Sequence, residues 1–420
     1  MQLEKPKFYP TIQSFLLMLT LLLLLLAIRL IVIYHSYQDF IDKPFYYTYA
    51  KVLAAYDKQS AQRVYTVLKL KSTEGLTFYT ATYKRGDFRH KRLRVQLFAN
   101  TKISFLDYMG TFYIKSRIKK EELLPVTLKQ KLFKAVDSQH QSSTLASFYN
   151  AIFFAAPLEK SLREAISKLG ASHLVALSGF HLGMLWGLLY GGLLLFYKPI
   201  QQKFFPYRYA LLDVGFTAMV LLGLYVWFVD FPPSLLRSYA MVLLGWFVLL
   251  LGMQLLSFTF LTTVILILLV LFPTMLVSVS FWLSVSGVFY IFLILRYTEA
   301  FHTIVVSIVF IPFGLFVFML PVVHTVFGVT SIYQLLSPLL SILFVVFYPL
   351  EMLLHLLGLG GMLDDALLWL FSLPSESTEH LLPWWATALY IAVSITAVWY
   401  RVAFYMIFGF SILYGIYLFV

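Results

Sequence analysis

Apolar residues in this chain follow two regimes. From about 35 to 146 they alternate with polar residues or come in short bursts, and elsewhere they run unbroken for lengths that match a bilayer core. Ten such runs lie at 11–34, 173–197, 209–229, 234–253, 256–272, 275–295, 303–323, 331–357, 384–400 and 402–420, each near the ~20 residues that a helix needs to cross a membrane. The pattern predicts a polytopic α-helical membrane protein with about ten transmembrane helices. Lys5 and Lys7 ahead of the first run, and Lys198, Lys203, Arg208 and Arg296 between later ones, put the N-terminus in the cytoplasm by the positive-inside rule. Arg401 falls on the outer side in the same walk. The first run is longer than the apolar part of a cleaved signal and reads as an anchor. Pro338 and Pro349 predict a break within 331–357.

The intervening region, 35–146, is expected outside the cytoplasm. Stretches 64–70, 76–83, 92–98, 102–108 and 111–118 are rich in β-branched and aromatic residues and separated by turn residues, which predicts five strands of a small β-rich, OB-like barrel. In 92–98, alternation turns Leu93, Val95 and Leu97 inward and Arg92, Arg94 and Gln96 outward. The expected organisation is a cytoplasmic N-terminus (1–10), an anchor (11–34), the basic OB-like domain (35–146), a main membrane domain (147–357), a loop (358–382) and C-terminal transmembrane helices (383–420).

Composition agrees: 60% of residues are hydrophobic and 12% charged, more apolar surface than a soluble core could hide. With no cysteine, disulfides, thiolate catalysis and Cys-ligated zinc are excluded. Charge is concentrated: residues 35–150 hold 20 of the 32 Lys and Arg and 9 of the 20 Asp and Glu, a net +11 of the chain's +12. Lys84, Arg85, Arg89, Lys91, Arg92 and Arg94 form the densest cluster, with Tyr79, Tyr83 and Phe88 as stacking partners. A basic face with nearby aromatics suits single-stranded nucleic acid bound without sequence reading. It suits a solvated surface or anionic lipid headgroups as well.

The segment GASHLVALSGFHLGMLWGLLYGG (170–192) opens a membrane run with His173, Ser178 and His181 and repeats glycine at 179, 183, 187 and 191. The glycines predict a smooth ridge for close helix packing. Intramembrane polar groups mark a functional site by default, although taken alone these residues are better described by Ser178 bonded to its own helix, one histidine as an interfacial anchor and one as a satisfied buried ring. No HExxH or His-x-His pattern accompanies the histidines, so neither a metal nor another cofactor is expected. Ser178 with His324 would suit an intramembrane serine hydrolase, but Ala176 stands where rhomboid-type proteases carry the first glycine of GxSG.

LREAISKLGASHLVALSGFHLGML (162–185) closely resembles the signature of the ComEC family, the inner-membrane DNA channels of natural transformation. Ser172, His173, Ser178, Gly179, His181 and Gly183 fall on that pattern. PPSLLRSYAM (232–241), with Pro233, Ser234, Arg237 and Met241, and FPTMLVSVSFWLSVSGVFYI (272–291), with Pro273, Phe281, Leu283, Ser284 and Val288, resemble two further family motifs in order and spacing. The stretch 320–350 shares the proline and phenylalanine spacing. Ser337 stands there in place of the usual asparagine, and Trp282 in place of a glutamine. Many members carry a metallo-β-lactamase-like domain with an HxHxDH motif; no such motif occurs here, so no nuclease activity is carried over, and the expectation is a channel rather than an enzyme. The resemblance implies uptake of single-stranded DNA across the bacterial inner membrane, with His173, Ser178, His181, Arg237, Ser280, Ser284 and His324 at the outer mouth of a water-filled path. Arg237 is expected to contact phosphate there, or to snorkel to the interface as a terminal arginine does. No GxxxxGK[ST] sequence is present, so force would come from a cytoplasmic helicase or ATPase. A periplasmic DNA receptor, membrane lipid and a second copy in a homodimer complete the expected partners. A transporter of small anionic solutes or lipids is the remaining alternative.

Overall fold

The computed structural model describes residues 8–60, 63–84, 86, 88, 91–100, 102–124, 127–250, 257–373 and 376–420. Their contacts divide the described residues into two units, one within 9–127 and 262–281 and the other of residue 8 with those within 128–261 and 282–420.

The smaller unit begins with α1 (Ile12–Asp42), started by a capping box in which Thr11 and Ser14 satisfy each other's backbone N–H groups. Most of its leucines and isoleucines are exposed along the apolar stretch. Its last turns meet protein instead. The rings of Tyr37 and Phe40 pack on Phe105, Tyr108 and Phe112, and the Tyr37 hydroxyl donates to the Ile103 carbonyl at 2.8 Å. The sheet consists of β1 (Tyr46–Ser60), β2 (Arg63–Ser72), β3 (Thr77–Thr82), β4 (Lys91–Phe98), β5 (Thr111–Tyr113) and β6 (Lys115–Leu123), in the order β5-β3-β2-β1-β4-β6. β5 pairs parallel with β3 and β6 antiparallel with β4, and Ile114 alone separates them, so one run of chain borders both ends of the sheet. Long β1, with an irregularity between Val52 and Ala54, pairs with β4 through its first half and β2 through its second. Leu68, Leu70, Phe78, Leu93, Val95 and Leu97 fill the core.

Two expectations for this unit are corrected. Residues 102–108 are not a strand, because Ser104 and Asp107 form a capping box that starts α2 (Phe105–Met109). Phe88 lies in the core, 1% exposed, rather than on the surface, with Lys91 over its ring at 5.5 Å. The strand at 46–60 was not anticipated.

The larger unit is helical: α3 (Leu128–Asp137), α4 (Ser143–Phe154), α5 (Lys160–Lys168), α6 (Ser172–Val175), α7 (Gly179–Phe204), α8 (Ala210–Phe228) and α9 (Pro233–Leu250), then α10 (Phe258–Leu271) and α11 (Val279–Tyr297), both partly shared with the smaller unit. Next, α12 (Thr303–Val305) continues through a π-helical turn (Val306–Phe310) into α13 (Ile311–Val323). There follow α14 (Ser337–Leu356), α15 (Asp364–Ser372), α16 (Trp384–Thr396) and α17 (Arg401–Phe419), with β7 (Val329–Thr330) paired to β8 (Thr378–Glu379). The expected break within 331–357 is only a 3-10 turn before Pro338; α14 continues across Pro349.

Among the described residues seven helical segments are long and apolar enough to cross a membrane: Ile12–Asp42, Gly179–Phe204, Ala210–Phe228, Val279–Tyr297, Thr303–Val323, Ile332–Leu356 and Arg401–Phe419. Three shorter apolar helices, Ser234–Leu250, Phe258–Leu271 and Trp384–Thr396, coincide with the remaining predicted runs. The protein is a multi-pass membrane protein. One core of the helical unit joins Tyr149 and Ile152 of α4, Leu182 and Leu185 of α7, Leu222 of α8, Leu235 of α9 and Tyr348 of α14. A second joins α11, α13, α16 and α17 around Tyr290, Phe318 and Tyr390.

Candidate functional site

The membrane run expected to start at 173 begins with a break. α6 stops at Val175, the chain is extended at Ala176 and Ser178, and α7 starts at Gly179. Ser178 is therefore an N-cap rather than a mid-helix residue: its Oγ accepts from the Phe180 N–H at 3.3 Å. The same Oγ lies 3.4 Å from His181 Nδ1. His181 is fully buried, with its ring edge-on to Phe344 and Tyr348 of α14 at centroid distances of 5.2 and 4.9 Å. Among the described residues, His181 Nε2 has no hydrogen-bond partner. His173, one turn before the break and exposed, places Nδ1 3.1 Å from the Gly170 carbonyl and Nε2 3.0 Å from Ser341 Oγ of α14.

Neighbouring elements hold this break open. Ser234, at the start of α9, donates to the Leu177 carbonyl at 2.6 Å, satisfying extended backbone that no helix bond would reach. Gly170 is left-handed (φ 64°), and a Cβ there would stand 3.2 Å from Ser337 Cβ. Ser337 Oγ donates to the Gly170 carbonyl at 2.9 Å. Gly179 meets Ser238 of α9, whose Oγ would lie 3.1 Å from an added Cβ. Arg237, between Ser234 and Ser238 in the first turns of α9, is only 3% exposed, so it is not a snorkelling surface residue here.

Among the described residues the glycine ridge does not form a packing seam: Gly183, Gly187 and Gly191 have nothing within 4 Å of an added Cβ, and of the four repeats only Gly179 makes a close approach. Nor does the site gather every expected residue. Ser280 is exposed at the start of α11, with half-buried Ser284 one turn on. His324 is buried at the end of α13, with Nδ1 3.0 Å from the Leu320 carbonyl and Nε2 3.1 Å from Thr330 Oγ1, and its ring edge-on to Tyr414. Its neighbours are thus distinct from those of His173 and His181, and it is not the partner of Ser178. Conversely, Ser341 and Tyr348 belong to the site and were not singled out, while Ser234 and Ser337, marked in the sequence only by their places in the motifs, supply its bonds to backbone. Ser341, Phe344 and Tyr348 recur at helical spacing in an apolar run, the available signal for one face of α14.

On the sheet, alternation places the arginines as expected: Leu93, Val95 and Leu97 are buried, Arg92 is partly exposed and Arg94 exposed. The aromatic partners match in part: Tyr79 and Phe88 are met by lysines, Phe88 by Lys91 at 5.5 Å, while the arginines meet Tyr47 and Tyr49. Arg92 lies over the Tyr49 ring at 4.7 Å, Arg94 lies over Tyr47 at 5.7 Å and Tyr49 at 5.9 Å, and Lys69 over Tyr79 at 5.6 Å. Tyr83 remains exposed beside Tyr65. Lys84 and Lys91 both pair with Glu121, at 2.6 and 2.8 Å, and these bonds hold the Glu121 carboxyl below its ordinary range. Arg85 and Arg89 lie outside the described residues.

Comparison with known proteins bears on the helical unit. The family model described as "Competence protein" matches residues 155–416, which covers the broken head of α7, α9, α11, α13 and α14. No curated protein matches the chain, and no solved structure does. With more than half of its length matched, and with its apolar helices as described, the chain belongs to the competence protein family and is a membrane protein of DNA uptake.

Proposed function

We propose that this protein passes single-stranded DNA across the bacterial inner membrane into the cytoplasm during natural transformation. The observation that carries the reading is the break between α6 and α7. It sets His173 and His181 against α14, and the Leu177 carbonyl and Gly179 against α9, within the part of the chain that the family model covers. Irregular backbone at membrane depth is tolerated where it is buried in protein or lines a watery cavity. In this reading the chain crosses the membrane about ten times, the shorter apolar helices included, and Arg237 contacts phosphate on the path. The sheet unit is an OB-like barrel: its strand order and parallel β3–β5 pair support that assignment, and its arginine–tyrosine face gathers the strand. A periplasmic receptor delivers DNA, a cytoplasmic helicase or ATPase pulls it, and the channel works in lipid, as one copy or as a homodimer.

Deleting the gene tests the reading. Labelled duplex DNA is expected to reach the periplasm but not the cytoplasm, and transformation to be lost; normal transformation in the deletion strain would overturn it. Arg237→Ala is expected to impair uptake while the protein still inserts, and unchanged uptake would remove Arg237 from the path.

The Ser178–His181 contact supports a second reading, an intramembrane serine hydrolase. At 3.4 Å the pair is longer than a working nucleophile–base bond of about 2.6–3.2 Å, and the Ser178 hydroxyl already caps α7. A fluorophosphonate probe decides between them: labelling lost in Ser178→Ala supports the hydrolase. Transport of small anionic solutes or lipids would instead persist without the basic sheet.

A further inference from the structure

Away from the α7 head, four ionisable side chains from three segments form one buried chain. His140, in the turn between α3 and α4, is fully buried and places Nδ1 2.9 and 3.1 Å from the two carboxylate oxygens of Asp364, the first residue of α15. Its Nε2 meets the Nε2 of His355 at 3.0 Å. His355 belongs to the last turns of α14. Its Nδ1 is 2.7 Å from the Glu351 carbonyl oxygen and 3.3 Å from Glu351 Oε2. The Glu351 side chain is fully buried, and among the described residues neither of its carboxylate oxygens has a hydrogen-bond partner. Tyr149 of α4 stacks on His140 at 4.5 Å and 8°. The turn itself is clamped, with Gln139 accepting from the Gly360 N–H at 2.8 Å and donating to the His355 carbonyl at 3.1 Å.

Counting protons along this chain gives a definite answer. A carbonyl oxygen cannot donate, so His355 Nδ1 must carry a proton. The contact between Asp364 and His140 Nδ1 holds a second, whichever atom keeps it. Two neutral imidazoles and an ionised carboxylate supply only those two. Without more, two bare Nε2 lone pairs would face each other at 3.0 Å, a repulsive contact; a hydrogen bond there needs a third proton.

We propose that Asp364, His140 and His355 form a proton-binding site, holding one proton between the two imidazoles, and that its occupancy fixes the end of α14. Asp364 and Glu351 are the carboxylates that balance the added charge, Tyr149 is the remaining titratable group against the pair, and Asp137 of α3 is engaged nearby with Asn150. The proton is exchangeable. Burial pushes His140 down from its ordinary value, and the Asp364 carboxylate beside it acts the other way. Ser341, Phe344, Tyr348, Glu351 and His355 follow one another at intervals of three or four residues, which places them on one face of α14. That face touches His173 and His181 at one end and the proton site at the other, so releasing the proton would loosen the helix that seats the family-motif histidines. Only this last link rests on the uptake reading; proton binding does not.

The test uses the purified full-length protein in detergent, with ring-15N histidine, followed by NMR from about pH 5 to 8, the range in which histidine titrates. Ring signals of His140 and His355 that change together across this range are expected, and His140→Gln is expected to abolish that coupling. A His355 signal that His140→Gln leaves unchanged overturns the proposal. So do ring nitrogens in a metal-bound state that a chelator reverses, although among the described residues no group of three or more His, Asp or Glu is placed to hold a metal. Should His140→Gln not fold, Asp364→Asn keeps the size and an acceptor while removing the charge. It is expected to lower the shared midpoint, and an unchanged midpoint overturns the site. Because the measurement contains no DNA, its failure is separate from any failure of the uptake reading.

Discussion

The arginine face of the sheet and the head of α7 hold polar groups by opposite means. On β4, Arg92 and Arg94 stand at a partly exposed surface over Tyr47 and Tyr49. Charges so placed act over several ångströms, tolerate some misplacement and are weakened by salt. At α7, Ser178 caps a helix, Ser234 is bonded to backbone, and His181 is enclosed by Phe344 and Tyr348. There, shape decides, because closely packed neighbours cannot move aside without cost. The sheet should therefore lose function gradually as charges are removed, and the helix head abruptly when one contact is changed.

The sharpest test of this contrast lies among the repeated glycines. A side chain at 179 would be driven into Ser238, whereas one at 183 meets open space among the described residues. Gly179→Leu is expected to destabilise the helical unit by about 1–3 kcal/mol, as overpacking does, and to lower the yield of inserted protein. Gly183→Leu should stay within about 0.5 kcal/mol of the parent. Thermal unfolding of the detergent-purified variants measures both, and equal losses would show that the close approach at Gly179 is unimportant.

These glycines also show what the sequence could and could not reveal. Their spacing of four is plain, but spacing says which residues share a face and not whether a neighbour lies against it. The alternation in 92–98 fared better, since a strand with one buried face has only two ways to point its side chains. The helix boundary was missed because apolar residues continue through 173–178 while the backbone does not; the cue was Ser178 itself, a favoured N-cap. Ser104 and Asp107 carry the same kind of signal ahead of α2, and it outweighs the β-propensity of 102–108. The partners of a site are harder still. Tyr47 and Tyr49 reach β4 by strand pairing, and Ser341 reaches His173 across 168 residues, so neither could be read from local sequence. Glu351 and His355 were visible as an acid and a histidine four residues apart in an apolar run, but their partner His140 lies 215 residues from His355.

A smaller effect is expected on the sheet. Arg92→Ala with Arg94→Ala should weaken binding of single-stranded DNA to the full-length protein about tenfold, or about 1.4 kcal/mol. The slope of log affinity against log salt should fall by about 1.4, from ~0.7 for each phosphate contact on a single strand. Lys84→Ala with Lys91→Ala should change that slope less, because Glu121 already neutralises part of their charge. Binding curves at several salt concentrations separate the pairs, and a slope that Arg92→Ala with Arg94→Ala leaves unchanged would mean that Arg92 and Arg94 touch no phosphate.

The least of these effects concerns Glu121. Bonds from Lys84 and Lys91 depress its folded-state pKa, so the folded state holds fewer protons than the unfolded one as pH falls through the carboxylate range. By linkage the stabilisation is fully present above the unfolded value and is lost as pH drops through the folded one. Lys84 is well exposed, its side chain retaining 63% of its accessible surface, which limits the gain to about 1 kcal/mol or less. Glu121→Gln should remove this pH dependence and leave stability near neutral pH slightly lower, measured as the difference between denaturant unfolding curves of the two proteins across acidic pH. A difference that does not vary with pH would mean that the two lysines are held by the sheet backbone rather than by Glu121. Both would then be available to DNA, and the expected distinction between the lysine and arginine pairs would disappear.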